Sequence, residues 1–460
     1  MKTRGGYNIR LQGKPTKELI ALSEPKILHL PLKTKRFSFT ELHVKDGAHV
    51  AEGAVLASDP RNQNVPLIAP RGGIVNLKQV PGHVTIEKVE AESTSPQPKL
   101  PSLYEVPTGI EQKEKIVRTL LAKGAWQFFT DAYTARVPDP SKPPQAIIIS
   151  TINLEPFSVR GDAQLETHFA EFAAALEKLQ PLLEYQPVWM VFPAYQSELG
   201  KKMRDFARGK AWIEILEIER KYPFDNDTLL AKRLGLKAKD GPVWCVRTEG
   251  IIAVDSALNK DRAATTRMIA VGGASVAKPC HMKVPVGYPI ASIMEQVGLT
   301  EPSRLVAGGV FTGIEMNGDE KGLDSESLSL NAIPLAYKRE ILAFTMPGFS
   351  KRSYSHTFAS MLRPGYRERK PAIAYGELRA CINCGFCVEV CPAGIIPSAL
   401  HKAIYADDLE GCETLRPDLC VECGLCSFVC VSKLDLRKEI IEVKETIRKE
   451  AELLAEGAQE

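Results

Sequence analysis

The 460-residue sequence predicts a multidomain α/β protein that ends in a small helical domain. Three observations carry that reading. Short strands broken by turns fill the region from Leu28 to Val89. Apolar runs alternate with helix-period segments from about residue 111 to 262, and nine of the eleven cysteines crowd between Cys381 and Cys430. A chain of this length with 44% hydrophobic residues can bury several cores.

The net charge is only +3, so no global field recruits nucleic acid or an anionic membrane, and no nucleic-acid partner is expected. The longest apolar runs, Ala146 to Ser150 and Trp189 to Phe192, fall far short of the ~20 residues needed to cross a bilayer. Met1 to Gly6 has neither an apolar h-region nor a small-residue cleavage site, which gives the expectation of a cytoplasmic protein.

Taken in order, Thr40 to Val44, Ala48 to Val50, Ala54 to Leu56, Pro66 to Ala69 and Ile74 to Leu77 read as strands of a small all-β unit. Glu92 to Pro101 is polar, proline-rich and without period, so it reads as an extended linker. A helix from Glu111 to Lys123 follows. The runs Ala146–Ser150, Val188–Phe192 and Ile213–Leu216 then alternate with helical segments near 163–182 and 196–208, which argues for βαβ units around a parallel sheet. Strands at Met268–Ala274 and Met282–Gly287, a helix Ile290 to Val297 and a strand at Leu305–Gly309 give a β-grasp pattern. The paired glycines 272–273 and 308–309 lack any GK[ST] or GxGxxG context and read as turn residues. Helices are expected at Ile396–Tyr405 and Lys433–Ala455, the second with Ile440, Val443, Ile447, Ala451 and Leu454 on one stripe. The resulting division is 1–91, an all-β unit; 92–262, linker and Rossmann-like α/β domain; 263–340, β-grasp; 341–370, a connecting segment; and 371–460, an α-helical ferredoxin-like domain.

The chemistry lies in two CxxCxxCxxxC motifs, Cys381-Cys384-Cys387-Cys391 and Cys420-Cys423-Cys426-Cys430. Three thiolates two residues apart wrap one face of a [4Fe-4S] cubane, while the fourth points away toward a partner cluster. Two clusters are therefore expected, the first held by Cys381, Cys384, Cys387 and Cys430, the second by Cys420, Cys423, Cys426 and Cys391. A zinc ribbon uses two cysteine pairs per ion and leaves cysteines over. Gly385 and Gly424 occupy equivalent places where the backbone must turn sharply and a side chain would crowd the sulfides. Pro392 ends the first motif; Val431 stands in that place in the second. Cys245, Cys280 and Cys412 have no partner at ligand spacing and read as packing residues.

The pattern VxxGxxVxxGxxL from Val44 to Leu56, followed by APxxGxV from Ala69 to Val75, resembles the biotinyl and lipoyl barrel-sandwich hybrid. The hairpin tip of that fold carries an attachment lysine, but here it reads Ala69-Pro70-Arg71-Gly72-Gly73, so a structural role is expected. The order of barrel-sandwich, α/β domain, β-grasp and dicluster domain resembles the family that unites NqrA, of the Na+-translocating NADH:quinone reductase, with RnfC, of the Rnf complex. The third unit is similar to that family's soluble-ligand-binding β-grasp (SLBB) module. Ala343-Phe344-Thr345-Met346-Pro347-Gly348 with Lys351 and Ser353 is similar to a signature of the NqrA proteins.

The resemblance implies a peripheral electron-transfer subunit on the inner face of the cell membrane, held there by membrane subunits of an Nqr- or Rnf-type NADH:quinone oxidoreductase, with quinone or a soluble carrier as redox partner. Ion pumping, of Na+ in the Nqr case, would belong to the partners. RnfC also has a glycine-rich loop for FMN and NADH, where this chain reads Lys123-Gly124-Ala125-Trp126-Gln127-Phe128-Phe129-Thr130, which argues against both ligands. Ile152 to Phe157 is similar to the family's strand end, with Glu155 equally readable as a solvated turn. Trp126, Phe128 and Phe129 read as core, with a quinone or partner surface as the alternative. Two other functions stay open: an RnfC-like NADH/FMN-dependent dehydrogenase subunit, and a structural docking subunit whose clusters hold the fold. The basic stretch Arg363 to Lys370 is available to an acidic partner or is a solvated linker.

Overall fold

The computed structural model describes residues 5–89, 111–183, 186–194, 198–335 and 378–457. The Glu92–Pro101 linker, the 343–353 signature and the basic stretch at 363–370 lie outside the described residues. The architecture is multidomain α/β, with four sheets among the described residues and a helical C-terminal region.

A short strand β1 (Leu19–Ile20) precedes seven strands: β2 (Ile27–Pro31), β3 (Glu41–Leu42), β4 (His49–Val50), β5 (Val55–Asp59), β6 (Val65–Ile68), β7 (Gly73–Asn76) and β8 (His83–Glu87). They form two facing sheets, β2-β8-β7-β4 and β3-β5-β6. Leu28, Leu30, Leu56, Val65, Val75, Val84 and Ile86 fill the space between them. The hairpin tip has a structural occupation. Arg71 folds back so that its guanidinium donates to the carbonyls of Pro25, Lys26 and Ile86.

The middle unit starts with α1 (Gln112–Ala122) and β9 (Thr130–Asp131), followed by β10 (Ile147–Ser150), α2 (Gly161–Leu179), β11 (Val188–Pro193), α3 (Glu198–Ala207), β12 (Ile213–Ile218), α4 (Asp227–Arg233), β13 (Trp244–Arg247) and α5 (Thr248–Leu258). The sheet order is β12-β11-β10-β13-β9, parallel except for β9 at the edge. Ile147, Ile148 and Ile149 are fully buried, as a strand covered on both faces must be. The chain runs outward in opposite directions from β10 and β13, which makes the carboxyl ends of these two strands a topological switch point and the expected place for a crevice.

The third sheet takes its order from chain segments far apart: β1-β15-β14-β18-β16-β17, built from β14 (Thr266–Gly272), β15 (Cys280–Pro285), β16 (Ser303–Ala307), β17 (Ile314–Glu315) and β18 (Ser329–Pro334) with α6 (Ile290–Val297) against it. Of the glycines expected in a turn, Gly272 instead ends β14, paired with Asn331, and Gly273 bends the chain after it. Gly273 sits at φ +116°, and a Cβ there would meet the Ala332 carbonyl oxygen at 2.0 Å. The strand β1 pairs with β15 in parallel, so the N-terminal segment belongs to this sheet in space.

The C-terminal region holds α7 (Phe386–Glu389), α8 (Pro397–Tyr405), α9 (Leu409–Thr414), α10 (Leu425–Val429) and α11 (Leu436–Gly457). Ile440 and Val443 of α11, with Ile447, pack on Leu400 of α8 and on Cys412 of α9, but the expected stripe stops there, since Ala451 and Leu454 are exposed beyond the end of the packed helices. Cys245, Cys280 and Cys412 are each 1% exposed, which fits their reading as small apolar residues.

Candidate iron–sulfur centre and the cavity beside it

The two cysteine motifs fold as copies of each other. In each, a loop carries the first two cysteines, a short helix (α7 or α10) carries the third, and the fourth follows that helix. The backbone repeats in detail: Asn383 and Glu422, Gly385 and Gly424, and Gly394 and Lys433 form three matched pairs, all with positive φ. The helices α7 and α10 pack on each other, and α8 and α11 start at equivalent places after them.

This pairing sets each fourth cysteine near thiols of the other motif. Cys391 stands beside Cys420, Cys423 and Cys426, and each of those three thiols feels its charge. Cys430 stands beside Cys387, which also neighbours Cys384, while Cys381 and Cys426 pack against the same Cys387, Leu434 and Leu436 cluster. The two sets differ in exposure. Cys384 is exposed and Ile382 beside it is 62% exposed, whereas Cys423 is buried against Leu425, Phe428 and Tyr222.

The donor set suits iron–sulfur ligation. Sulfurs accept backbone N–H bonds: Glu422 donates to Cys420 Sγ at 3.4 Å, Leu425 to Cys423, and Ser427 to Cys426, while Ser398 hydrogen-bonds to Cys387. Such bonds stabilise thiolate over thiol. Burial pushes the free thiols the other way, Cys423 up to about 12, so deprotonation must come from the bound metal itself. Among the described residues no three His, Cys, Asp or Glu side chains converge as ligands of a single metal ion. A cubane asks for something else, namely one thiolate for each of four separate irons. A cavity lined by Cys391, Cys420, Cys423, Cys426, Gly424 and Arg437 lies at the second motif.

Gly385 and Gly424 both start their helices in the left-handed region, at φ 78° and 77°. They differ in surroundings. A Cβ on Gly385 meets no protein atom within 4 Å, whereas one on Gly424 comes to 3.1 Å from Phe311 Cβ. We expect Gly385→Ala to cost only the left-handed penalty, about 1–2 kcal/mol, and Gly424→Ala to cost more. Heating the purified protein while following cluster absorbance checks this, with the Gly424 variant bleaching at the lower temperature.

Beside the second motif, at the carboxyl ends of β10 and β11, lies a cavity of about 590 Å³. Its walls come from Thr151 to Asp162, from Tyr7 to Leu11 with Lys14 and Pro15, and from Arg220, Tyr222 and His281. Arg247 at the end of β13 ties the rim together: its guanidinium donates to Ile152 O at 3.0 Å, to Asp225 O at 2.9 Å and to Asp227 Oδ1 at 2.8 Å. Glu155 is no solvated turn residue. Its Oε1 accepts from the amides of Phe311 at 2.7 Å and Thr312 at 3.2 Å, its carboxyl hydrogen-bonds with Tyr222, and burial raises its pKa. Tyr222 in turn donates its hydroxyl to the Cys423 carbonyl at 2.6 Å, and burial holds the phenol well above its usual pKa, so it stays a donor. Sequence reasoning missed Tyr222, because nothing local marks a tyrosine that meets a cysteine two hundred residues away.

The run Lys123 to Thr130 has a different use. It closes α1 and curls into a turn of 3₁₀ helix at Trp126–Phe128. The amides of Gly124, Ala125, Phe128 and Phe129 donate to Leu121, Leu120, Ala125 and Trp126, so they do not form a phosphate cradle. Trp126 and Phe129 are fully buried, with rings stacked at 4.8 Å, while Phe128 is partly buried and lines a separate cavity of about 200 Å³.

These features have counterparts in known proteins. Residues 111–262 match a family model described as the NqrA second alpha/beta domain, and residues 380–434 match the 4Fe-4S dicluster domain. The A subunit of the Na(+)-translocating NADH-quinone reductase from Alcanivorax borkumensis is 23% identical over 410 residues, covering 86% of this chain and 87% of the relative. Its counterpart from Neisseria meningitidis serogroup A is 23% identical over 467 residues, covering 98% and 100%. That from Pseudomonas aeruginosa is 24% identical over 452 residues, covering 95% and 96%. Among solved structures, a chain of the NAD+-reducing [NiFe]-hydrogenase in its H2-reduced state aligns with a TM-score of 0.42 at 13% identity over 74% of this chain and 64% of that one, a likeness too distant to bear on function. Over most of its length the chain is thus similar to A subunits of the Na(+)-translocating NADH-quinone reductase, and it carries in addition a match to the 4Fe-4S dicluster domain near its C-terminal end.

Proposed function

We propose that the chain is a peripheral electron-transfer subunit of an Nqr- or Rnf-type NADH:quinone oxidoreductase and relays electrons through two [4Fe-4S] clusters. The observation that supports this reading is the placing of each fourth cysteine near the other motif, Cys391 beside Cys420, Cys423 and Cys426, and Cys430 beside Cys387. Cys381, Cys384, Cys387 and Cys430 would hold the first cluster, and Cys420, Cys423, Cys426 and Cys391 the second. Each cluster, when bound, supplies one-electron chemistry. The protein's part is to supply thiolates, orient them with the paired left-handed turns, and shield the second site from water while leaving the first near the surface.

No helix among the described residues is long and apolar enough to cross a membrane, so attachment to the cytoplasmic face would be through partner subunits. On this reading the three β-rich and α/β units, barrel-sandwich, Rossmann-like and SLBB-type, serve as the body that places the clusters. The dehydrogenase alternative gains support from the 590 Å³ cavity at the carboxyl ends of β10 and β11, and it loses support from the occupied amides of Gly124, Ala125, Phe128 and Phe129. Anaerobic addition of NADH to the oxidised chain tests the choice. We expect the cluster absorbance near 400 nm to stay unbleached by NADH and to bleach with dithionite. Bleaching by NADH alone would make the chain the dehydrogenase.

A further inference from the structure

The second cysteine loop is held by donors from two separate units. Tyr222, from the α/β unit, donates its hydroxyl to the Cys423 carbonyl at 2.6 Å. Arg437 Nε, from α11, donates to the Glu422 carbonyl at 2.8 Å. Lys444 Nζ, also from α11, donates to the Cys420 carbonyl at 3.2 Å and to the Glu422 carboxylate. Three carbonyls within the CxxC stretch are thus capped, two of them by cations. The first motif is held by other contacts: Ser432 Oγ donates to the Ala380 carbonyl at 2.9 Å, the Gly6 amide donates to the Val390 carbonyl at 3.0 Å, and Lys433 lies within reach of the Cys430 charge.

The same loop is also gripped by rings. Phe311 lies 5.5 Å from Tyr222 and 4.8 Å from Phe428, ring centre to ring centre, and it closes on Gly424 from outside. Phe311 belongs to the segment whose amides hold Glu155 on the cavity wall. One continuous set of contacts therefore runs from the cavity through Tyr222 to the backbone of Cys423.

We propose that Tyr222, together with Lys444 and Arg437, is a positioning residue for the second cluster: it raises that cluster's reduction potential and fixes it against the cavity, as the inward end of the relay. Reduction adds one negative charge to the cluster and its four thiolates. A donor on a neighbouring carbonyl turns a positive dipole end toward that charge, and a cation does so more strongly. Removing the Tyr222 hydroxyl withdraws one such dipole. Removing Lys444 withdraws a cation and leaves the Glu422 carboxylate unpaired. Both changes disfavour the reduced state, so both lower the midpoint potential. The first cluster, near the exposed Cys384 and Ile382, has its own partners in Ser398 on Cys387 and Lys433 beside Cys430, none of which these substitutions touch, and it keeps its potential.

This inference rests on the two-cluster reading above. The test is an EPR-monitored redox titration of the full chain, purified anaerobically and reduced with dithionite, with iron and sulfide measured on each sample. Tyr222→Phe and Lys444→Met should keep the wild-type iron content and show one of two midpoints shifted to more negative potential, the other unmoved. The unmoved midpoint should be the one that survives in Cys391→Ala. Two unmoved midpoints, an equal shift of both, or a shift in the midpoint that survives in Cys391→Ala would overturn the proposal. Loss of iron in both variants would overturn it too, since the donors would then be holding the fold. A wild-type chain with only one cluster would instead sink the underlying reading.

Discussion

Replacing Cys391 with alanine will remove the second cluster and spare the first, although Cys391 lies in the first motif. The iron content should fall from about eight to about four per chain. Iron content alone does not say which cluster is gone, and the double variant Cys391→Ala/Cys420→Ala does. If the fourth cysteines are exchanged, both substitutions strike the same site and about four irons remain. If each motif ligates its own cluster, the double variant loses both. The prediction follows from the placement of Cys391, whose charge is felt by Cys420, Cys423 and Cys426, and of Cys430, which stands beside Cys387. The mirror pair, Cys430→Ala with Cys384→Ala, should likewise leave about four irons, this time at the second site.

The largest effect on stability is expected far from the cysteines, at Trp126. Its ring is fully buried, stacked on Phe129 at 4.8 Å and edge-on to Trp244 at 5.2 Å, and its indole N–H donates to the Pro138 carbonyl at 3.0 Å. It belongs to one apolar cluster that includes Leu28 and Ile86 of the N-terminal sheets as well as Ile147 and Met190 of the parallel sheet. Trp126→Ala opens a cavity in a core that two units share and orphans a carbonyl. The cost should be about 3–5 kcal/mol. Urea unfolding followed by near-ultraviolet circular dichroism reads it as a lower midpoint. A loss below about 1 kcal/mol would mean the aromatic cluster is not a core at all, and would reopen its reading as a ligand surface.

Much of the fold was legible because its signals are local. The runs at Ile147 and Val188 are continuous apolar stretches of strand length, which is what strands covered on both faces look like, while Ile213–Ile218 carries exposed Glu214 and Glu217 and forms the sheet edge. The helix Ile290–Val297 lies where its spacing placed it. The strand β18 gave no such signal, since Ser329 and Asn331 interrupt it. Both side chains are buried and hydrogen-bonded to the Gly308 carbonyl, Asn331 at 2.6 Å, a satisfaction visible only in three dimensions. Helix α5 hid for the opposite reason, because Ile251, Ala253, Val254 and Ala257 are buried nearly all round it and leave no stripe.

The candidate site divides in the same way. The eight cysteines announce themselves by spacing, and the left-handed turns at Gly385 and Gly424 follow from residue type. At Gly385 the left-handed backbone by itself favours glycine, and no protein atom lies within 4 Å of a Cβ built there. Glu155 and Tyr222 were illegible. Their roles depend on a loop of the third sheet and on the second cysteine loop meeting at the end of β10, and no local pattern encodes that meeting.

The central claim is that this chain holds two clusters and passes electrons through them. Anaerobic purification with iron and acid-labile sulfide analysis, followed by EPR of the dithionite-reduced protein, addresses it most directly. The account predicts about eight irons and eight sulfides per chain and a spectrum of two interacting reduced [4Fe-4S] centres. Zinc in place of iron, or carefully handled protein with neither iron nor sulfide, would contradict it.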